Sequence, residues 1–128
     1  MQPRRWLPFI APLALAACGG GIWIGFGDGF DDQPPSISLT SNVTTVASGG
    51  SVTLIAAAAD ENGVEEVRFY RDDNGVPNLL CSDGSEPFEC VTTAPNDGRT
   101  SMAVFARASD PDGNTSQSSA IAITITAP

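Results

Sequence analysis

Carboxylates, hydroxyls and three cysteines are the groups in this sequence that could perform chemistry. The chain has 15 acidic residues and one tyrosine, Tyr70, but it contains no histidine and no lysine. Nucleophilic catalysis requires an activating base, and acid–base catalysis requires a poised pair of titratable groups. The serines and threonines fall at outward strand or turn positions with no base to activate them, which leaves a carboxylate pair as the one catalytic arrangement open. The composition therefore predicts a protein that is not an enzyme and needs no cofactor.

The first 17 residues have the three zones of a secretory signal peptide. Arg4 and Arg5 form a basic start, an apolar run follows, and small residues precede Cys18. Segments of this kind are cleaved on export. The apolar run has about 12 residues and contains two prolines, whereas a helix needs roughly 20 apolar residues to cross the hydrocarbon layer. We therefore expect residues 1–17 to be removed rather than kept as a membrane span.

The tetrapeptide Leu15-Ala16-Ala17-Cys18 resembles the lipobox of bacterial lipoproteins at all four positions. This resemblance implies cleavage before Cys18, a diacylglyceryl thioether on its sulfur and acylation of the freed amine, and multiple acyl chains anchor a protein firmly. By the same resemblance, the glycine that follows the cysteine favours the outer membrane if the host is Gram-negative. The alternative is an ordinary secreted protein with a cysteine at this place by chance.

The other two cysteines, Cys81 and Cys90, are expected to form a disulfide. An even pair in the oxidising compartment that a secretory signal implies indicates such a bond. It would close a loop of about ten residues, which the chain-entropy relation makes worth roughly 2.5 to 3 kcal/mol. The alternative is a pair of free thiols.

Residues 18–35 have the composition of a flexible tether, because glycines, aspartates and a final Pro34-Pro35 cannot bury a core. Within this tether the tripeptide Ile22-Trp23-Ile24 is apolar. A tryptophan close to an acyl anchor could lie at the membrane interface, where indole is favoured. The same tripeptide could also bind a partner or be an isolated apolar patch.

From Ser36 onward the apolar residues alternate with polar ones at a period of two, which is typical of half-buried β-strands. Turn sequences rich in Asp, Asn and Gly separate the alternating runs. No part of residues 36–128 has a helical period. The pattern predicts an all-β, two-sheet sandwich of about seven strands, over residues 36–40, 52–58, 67–70, 78–81, 87–92, 102–108 and 121–125.

Residues 34–126 resemble the bacterial Ig-like domains of cell-surface and secreted proteins. The segments that carry the resemblance are PSISLT at 35–40, GSVTL at 50–54, AADENGV at 58–64, VRFY at 67–70 and ARASDPDGN at 106–114. The resemblance implies an immunoglobulin-like sandwich. The sequence departs from antibody domains because it has no tryptophan on the third strand and no disulfide between the second and sixth strands.

The acidic turns of this sandwich are weak candidates for a calcium site. In an Ig-like sandwich the turns after the second and sixth strands lie at the same end as the tether, and Ca²⁺ is held by six to eight oxygens. Aspartate beside Asn and Gly is, however, also ordinary β-turn chemistry, in which the carboxylate accepts hydrogen bonds from its own backbone. Neither turn has the full spacing of a calcium loop, so we prefer the turn interpretation and predict no metal. The acidic residues concerned are Asp31, Asp32, Asp60, Glu61, Asp110 and Asp112.

The charge of the chain limits its partners. The formal net charge is −9, and loss of Arg4 and Arg5 with the signal peptide makes the mature chain more acidic. Nucleic acid and anionic membrane surfaces bind basic patches, so neither is an expected partner. We expect the lipid on Cys18 to attach the protein to the membrane. Three functions remain: an envelope module that binds a protein or a glycan, a passive spacer, and a calcium-dependent adhesion or glycan-binding surface module.

The exposure of Phe105 distinguishes between these functions. Phe105 is out of phase with the apolar face of its strand, near Tyr70 and Arg107. If Phe105 is exposed, these three residues form an interaction surface, because exposed aromatics with polar neighbours mark recognition sites. The alternative is that a neighbouring strand or the tether covers Phe105.

Overall fold

Nine β-strands make up the part of the chain that the computed structural model describes, residues 33–128. No helix occurs in this part, so it offers no segment that could cross a membrane as a helix. The predicted signal peptide, the predicted lipidation site Cys18, the tripeptide Ile22-Trp23-Ile24 and the acidic residues Asp31 and Asp32 lie outside the described residues. The strands are β1 (Ser36–Ser41), β2 (Thr45–Ala47), β3 (Ser51–Ala59), β4 (Glu66–Asp73), β5 (Val76–Asp83), β6 (Phe88–Thr93), β7 (Ser101–Ser109), β8 (Thr115–Gln117) and β9 (Ile121–Thr126).

The strands form two sheets, as the all-β sandwich prediction requires. The smaller sheet has the order β1-β3-β6, and the larger has the order β2-β9-β7-β4-β5 with β8 also paired to β7. Every pair is antiparallel except β2 with β9. The described residues form nine strands where about seven were predicted, and the two additional strands are β2 and β8. Each has three residues, which is too short for a period of two to be recognised.

The core lies between the two sheets, and the alternation along each strand explains its composition. On β3, Val52 and Leu54 are fully buried, and on β4 Val67 and Phe69 are fully buried. Val104 on β7 completes this layer and is also fully buried. Successive side chains of a strand point to opposite faces, so the residues between these positions lie on the outer faces of the sheets.

The predicted disulfide is present between Cys81 on β5 and Cys90 on β6, with Cα atoms 5.7 Å apart. Because β5 belongs to the larger sheet and β6 to the smaller one, the bond joins the two sheets at one edge of the sandwich. Cys90 is buried against the core. The spacing of the Cα atoms is normal for a disulfide.

The edge of the larger sheet is formed by β5, which follows a two-residue hairpin turn. Asn74 and Gly75 both have positive φ, at 55° and 88°, as the hairpin turn that matches strand twist requires. Pro77, the second residue of β5, has no N–H group to donate to another strand. Proline on an edge strand discourages pairing with a second chain.

Candidate functional site

The outer face of β4 and β7 carries the residues that sequence analysis assigned to an interaction surface. These strands are neighbours in the larger sheet, and their register places Tyr70 opposite Phe105 and Arg68 opposite Arg107. Val67 and Phe69 point into the core, so the alternation of β4 turns Arg68 and Tyr70 outward. The structure therefore brings Tyr70, Phe105 and Arg107 together.

Phe105 is on the outer face, and of the two alternatives that the sequence left open, the structure shows the buried one. Its side chain is only 7% exposed, because its ring stacks on the ring of Tyr70 with centroids 5.2 Å apart and planes inclined by 15°. This arrangement is the alternative in which a neighbouring strand covers Phe105. Aromatic stacking of this kind stabilises a cross-strand pair. Phe105 consequently supports Tyr70 rather than presenting its own surface.

Arg107 is held from two sides on this face. Its guanidinium carbon lies 5.2 Å from the centroid of the Tyr70 ring, which is a cation–π distance. Its Nη2 donates a hydrogen bond to Oε1 of Gln117 on β8 at 3.0 Å. The two contacts fix the position of a charged group that remains half-exposed.

Arg68 and Glu66 complete this face, and sequence analysis missed both. Arg68 Nε donates to Glu66 Oε1 at 2.8 Å, and Ser82 on β5 donates a short hydrogen bond to the other carboxylate oxygen. The Ser82 hydroxyl lowers the pKa of Glu66, with Arg68 adding to the effect. The pKa of Arg68 is raised first by Tyr70 and then by Glu66. The alternation in Val67-Arg68-Phe69-Tyr70 was the signal that could have placed Arg68 beside Tyr70.

A shallow cleft of about 380 Å³ lies over these residues. Arg68, Tyr70 and Arg107 form one part of its lining. The other part consists of Glu65, Glu66, Ser109, Asp110, Gly113 and Thr115. Guanidinium groups bind carboxylates and other anions, and hydroxyls bind polar ligand groups. Arg68 is already paired with Glu66, so Arg107 is the guanidinium of this lining that can bind an anionic group of a ligand.

The carboxylate of Asp110, one of the weak calcium candidates, accepts hydrogen bonds from the turn that follows it. The carboxylate is completely buried, and its Oδ1 accepts hydrogen bonds from the backbone N–H groups of Asp112 at 3.0 Å and Asn114 at 2.9 Å. Its Oδ2 accepts a further bond from Asn114 Nδ2 at 2.9 Å. These contacts are the turn chemistry expected of aspartate before Asn and Gly.

Asp60 occupies an equivalent place in the turn after β3, where its Oδ1 accepts a hydrogen bond from the backbone N–H of Asn62 at 2.9 Å. The two turns are at the same end of the sandwich, because the backbone N–H of Glu65 donates to the carbonyl of Ser109 at 2.8 Å. Within residues 33–128, no three histidine, cysteine or acidic side chains gather closely enough to hold a metal ion.

An ion network at the opposite end of β4 was also missed by sequence analysis. Asp73 accepts hydrogen bonds from Arg71 Nη2 at 2.9 Å and from Arg99 Nη1 at 2.7 Å. Arg99 also contacts Asp97 at 2.8 Å. The two arginines, Arg71 first, lower the pKa of Asp73 to about 2. Arg71 and Arg99 are thus paired with carboxylates, whereas Arg107 forms no ion pair within residues 33–128.

Solved structures with this fold include fibronectin-type modules. A chain described as fibronectin(III)-like modules of CbhA from Clostridium thermocellum matches with a TM-score of 0.59 and 21% identity, over 70% of this chain and 94% of that chain. A chain from a structure on T cell specificity and activation by the bacterial superantigen toxic shock syndrome toxin-1 matches with a TM-score of 0.53 and 13% identity, over 72% and 99% of the two chains. At such identities the likeness concerns the fold.

The family assignment comes from the sequence of the sandwich itself. A comparison with curated proteins finds no match. The family model described as a bacterial Ig domain matches residues 35–104, from the residue before β1 into β7. The structure continues the same sandwich through β8 and β9 to Thr126. This chain belongs to the bacterial Ig domain family.

Proposed function

We propose that this protein is a lipid-anchored protein of the cell envelope whose Ig-like domain is a non-catalytic binding module. Its binding surface is the outer face of β4 and β7, with Tyr70 and Arg107 as the contacting residues. The observation that carries the proposal is the placement of Arg107, which is fixed against Tyr70 and makes no ion pair within residues 33–128.

The anchor is proposed from the sequence. Leu15-Ala16-Ala17-Cys18 supplies the lipobox, and the acyl chains on Cys18 would hold the protein at the membrane. The tether 18–35 would reach at most about 60 Å when fully extended. The module would thus act near the membrane surface, at the outer membrane if the host is Gram-negative.

Metabolic labelling with a fatty acid tests the anchor. The wild-type protein is expected to incorporate label, and Cys18→Ser is expected to lose it, because the thiol is the acceptor of the diacylglyceryl group. The matched control is the Cys81→Ser, Cys90→Ser double variant, which removes the other cysteines and should keep the label. Equal label on Cys18→Ser would refute the lipid anchor.

Capture from envelope extracts tests the binding surface. Wild-type protein is expected to retain an envelope component that Arg107→Gln retains much less. Arg99→Gln makes the same change of charge in the ion network at the other end of β4, and it should retain as much as wild type. No retention by any of the three proteins would favour a passive spacer.

A further inference from the structure

We propose that the cleft over β4 and β7 binds the carboxylate of an acidic sugar, and that Arg107 is the residue that holds this carboxylate. The inference rests on the proposed binding function of the same surface and names the chemical class of its ligand. Hexuronic acids, which carry one carboxylate on each sugar ring, are the class that fits.

Arg107 differs from every other arginine in residues 33–128. Arg68, Arg71 and Arg99 each contact a carboxylate at 2.7 to 2.9 Å, whereas Arg107 contacts none. Its one hydrogen bond, to Gln117, uses one of the five N–H donors of a guanidinium. In a chain of net charge −9, an arginine with no carboxylate partner among residues 33–128 has donors available for an external anion.

The register of the sheet makes an anion favourable at this place. Arg68 and Arg107 stand directly opposite each other on β4 and β7, and like charges in such a cross-strand pair repel. Glu66 forms an ion pair with Arg68 and accepts a hydrogen bond from Ser82. A carboxylate bound beside Arg107 would offset the repulsion that Glu66 leaves uncompensated.

Tyr70 and Phe105 prepare Arg107 for this contact. The guanidinium rests on the Tyr70 ring, and Phe105 supports that ring from the neighbouring strand. A guanidinium that is already positioned loses less conformational entropy when it forms a bidentate contact with a carboxylate.

The position of the cleft favours a sugar over a peptide as the source of the carboxylate. β4 is paired on both sides, with β5 and β7, and β7 is paired with β4, β8 and β9. A peptide that binds by strand addition needs a free strand edge, which neither strand provides here. Ser109, Thr115, Glu65 and Glu66 instead line the cleft. Their hydroxyl and carboxylate oxygens can accept hydrogen bonds from sugar hydroxyls.

Calorimetric titration of the full chain in detergent tests the ligand class. The probes are glucuronate and galacturonate oligosaccharides, and the matched controls are the same oligosaccharides with the carboxyl groups reduced to alcohols. At least one acidic probe is expected to bind at least about 10-fold more tightly than its reduced counterpart, because charge-assisted hydrogen bonds are lost on reduction.

Three variants test the assignment of Arg107. Arg107→Gln should weaken binding roughly 10- to 100-fold, the effect of losing a charged hydrogen-bonding partner. Arg107→Lys keeps the charge without the planar fork and should lie between Arg107→Gln and wild type. Arg99→Gln, with the same charge change as Arg107→Gln, should bind as wild type does.

Several results would overturn the inference. These are equal affinity for acidic and reduced oligosaccharides, equal affinity of wild type and Arg107→Gln, and preference for a peptide ending in glutamate over both hexuronates. If envelope capture depends on Arg107 while neither hexuronate binds, the sugar assignment fails and the proposed binding function stands.

Discussion

Replacing Asp110 with alanine should strongly destabilise the sandwich, although the residue belongs to a turn. The side chain is completely buried and accepts hydrogen bonds from two backbone N–H groups and one side-chain amide. A buried donor left without a partner costs about 1 to 3 kcal/mol. The donors belong to Asp112 and Asn114, which are exposed and half-buried respectively, so water can replace part of what is lost. We therefore use the lower end of that range for each bond and expect a loss of about 3 kcal/mol.

Urea denaturation of the full chain, followed by circular dichroism, would measure this loss. With a slope of about 1.5 kcal/mol/M, the midpoint for Asp110→Ala should fall by about 2 M. Asp60→Ala is the matched control, because Asp60 is less buried and serves one backbone N–H in its turn, and it should lose about 1 kcal/mol. Asp110→Asn should lie between them, since it keeps one acceptor oxygen. A loss for Asp110→Ala within about 0.5 kcal/mol of that for Asp60→Ala would refute the role given to burial.

Three further predictions concern the disulfide, the ion network and calcium. The Cys81→Ser, Cys90→Ser double variant should lose about 2.7 kcal/mol of unfolding free energy, as expected for a loop of about ten residues; mass analysis of unreduced wild-type peptides should show the cross-link, and two free thiols would contradict it. The pKa of Asp73 in the folded protein is about 2, below the ordinary aspartate value of 3.8. Its ion pairs should therefore contribute stability above the unfolded pKa and lose it as the pH falls towards 2. Asp73→Asn should therefore unfold at a higher pH than wild type in acid titration, and an Asp73 pKa near 3.8 by NMR would contradict the network. Melting with about 1 mM EDTA or with a few millimolar CaCl₂ should give the same midpoint, whereas specific binding would raise it; a rise abolished by Asp110→Asn would support the calcium-dependent alternative.

The positions that alternate along β4 and β7 show how much of the fold follows from sequence. Val67 and Phe69, or Val104 and its neighbours two residues away, are buried as their period predicts, because the pleat of a strand sends successive side chains to opposite faces whatever surrounds it. The pairing of Cys81 with Cys90 was likewise predictable, since only two cysteines remained for a disulfide. The burial pattern depends on the local geometry of a strand, and the disulfide prediction depends on the number of cysteines.

The candidate site depended on contacts that local geometry does not specify. Alternation indicates the face on which Phe105 lies, but only the register of β4 against β7 places it under Tyr70 and hides it from solvent. The same register sets Arg68 opposite Arg107, and the distribution of acids around the sheet leaves Arg107 without a carboxylate partner in residues 33–128. Sequence alone determined an all-β chain with outward-facing Tyr70 and Arg107. Tertiary structure decided which side chains meet, because strand register is set by pairing between distant segments.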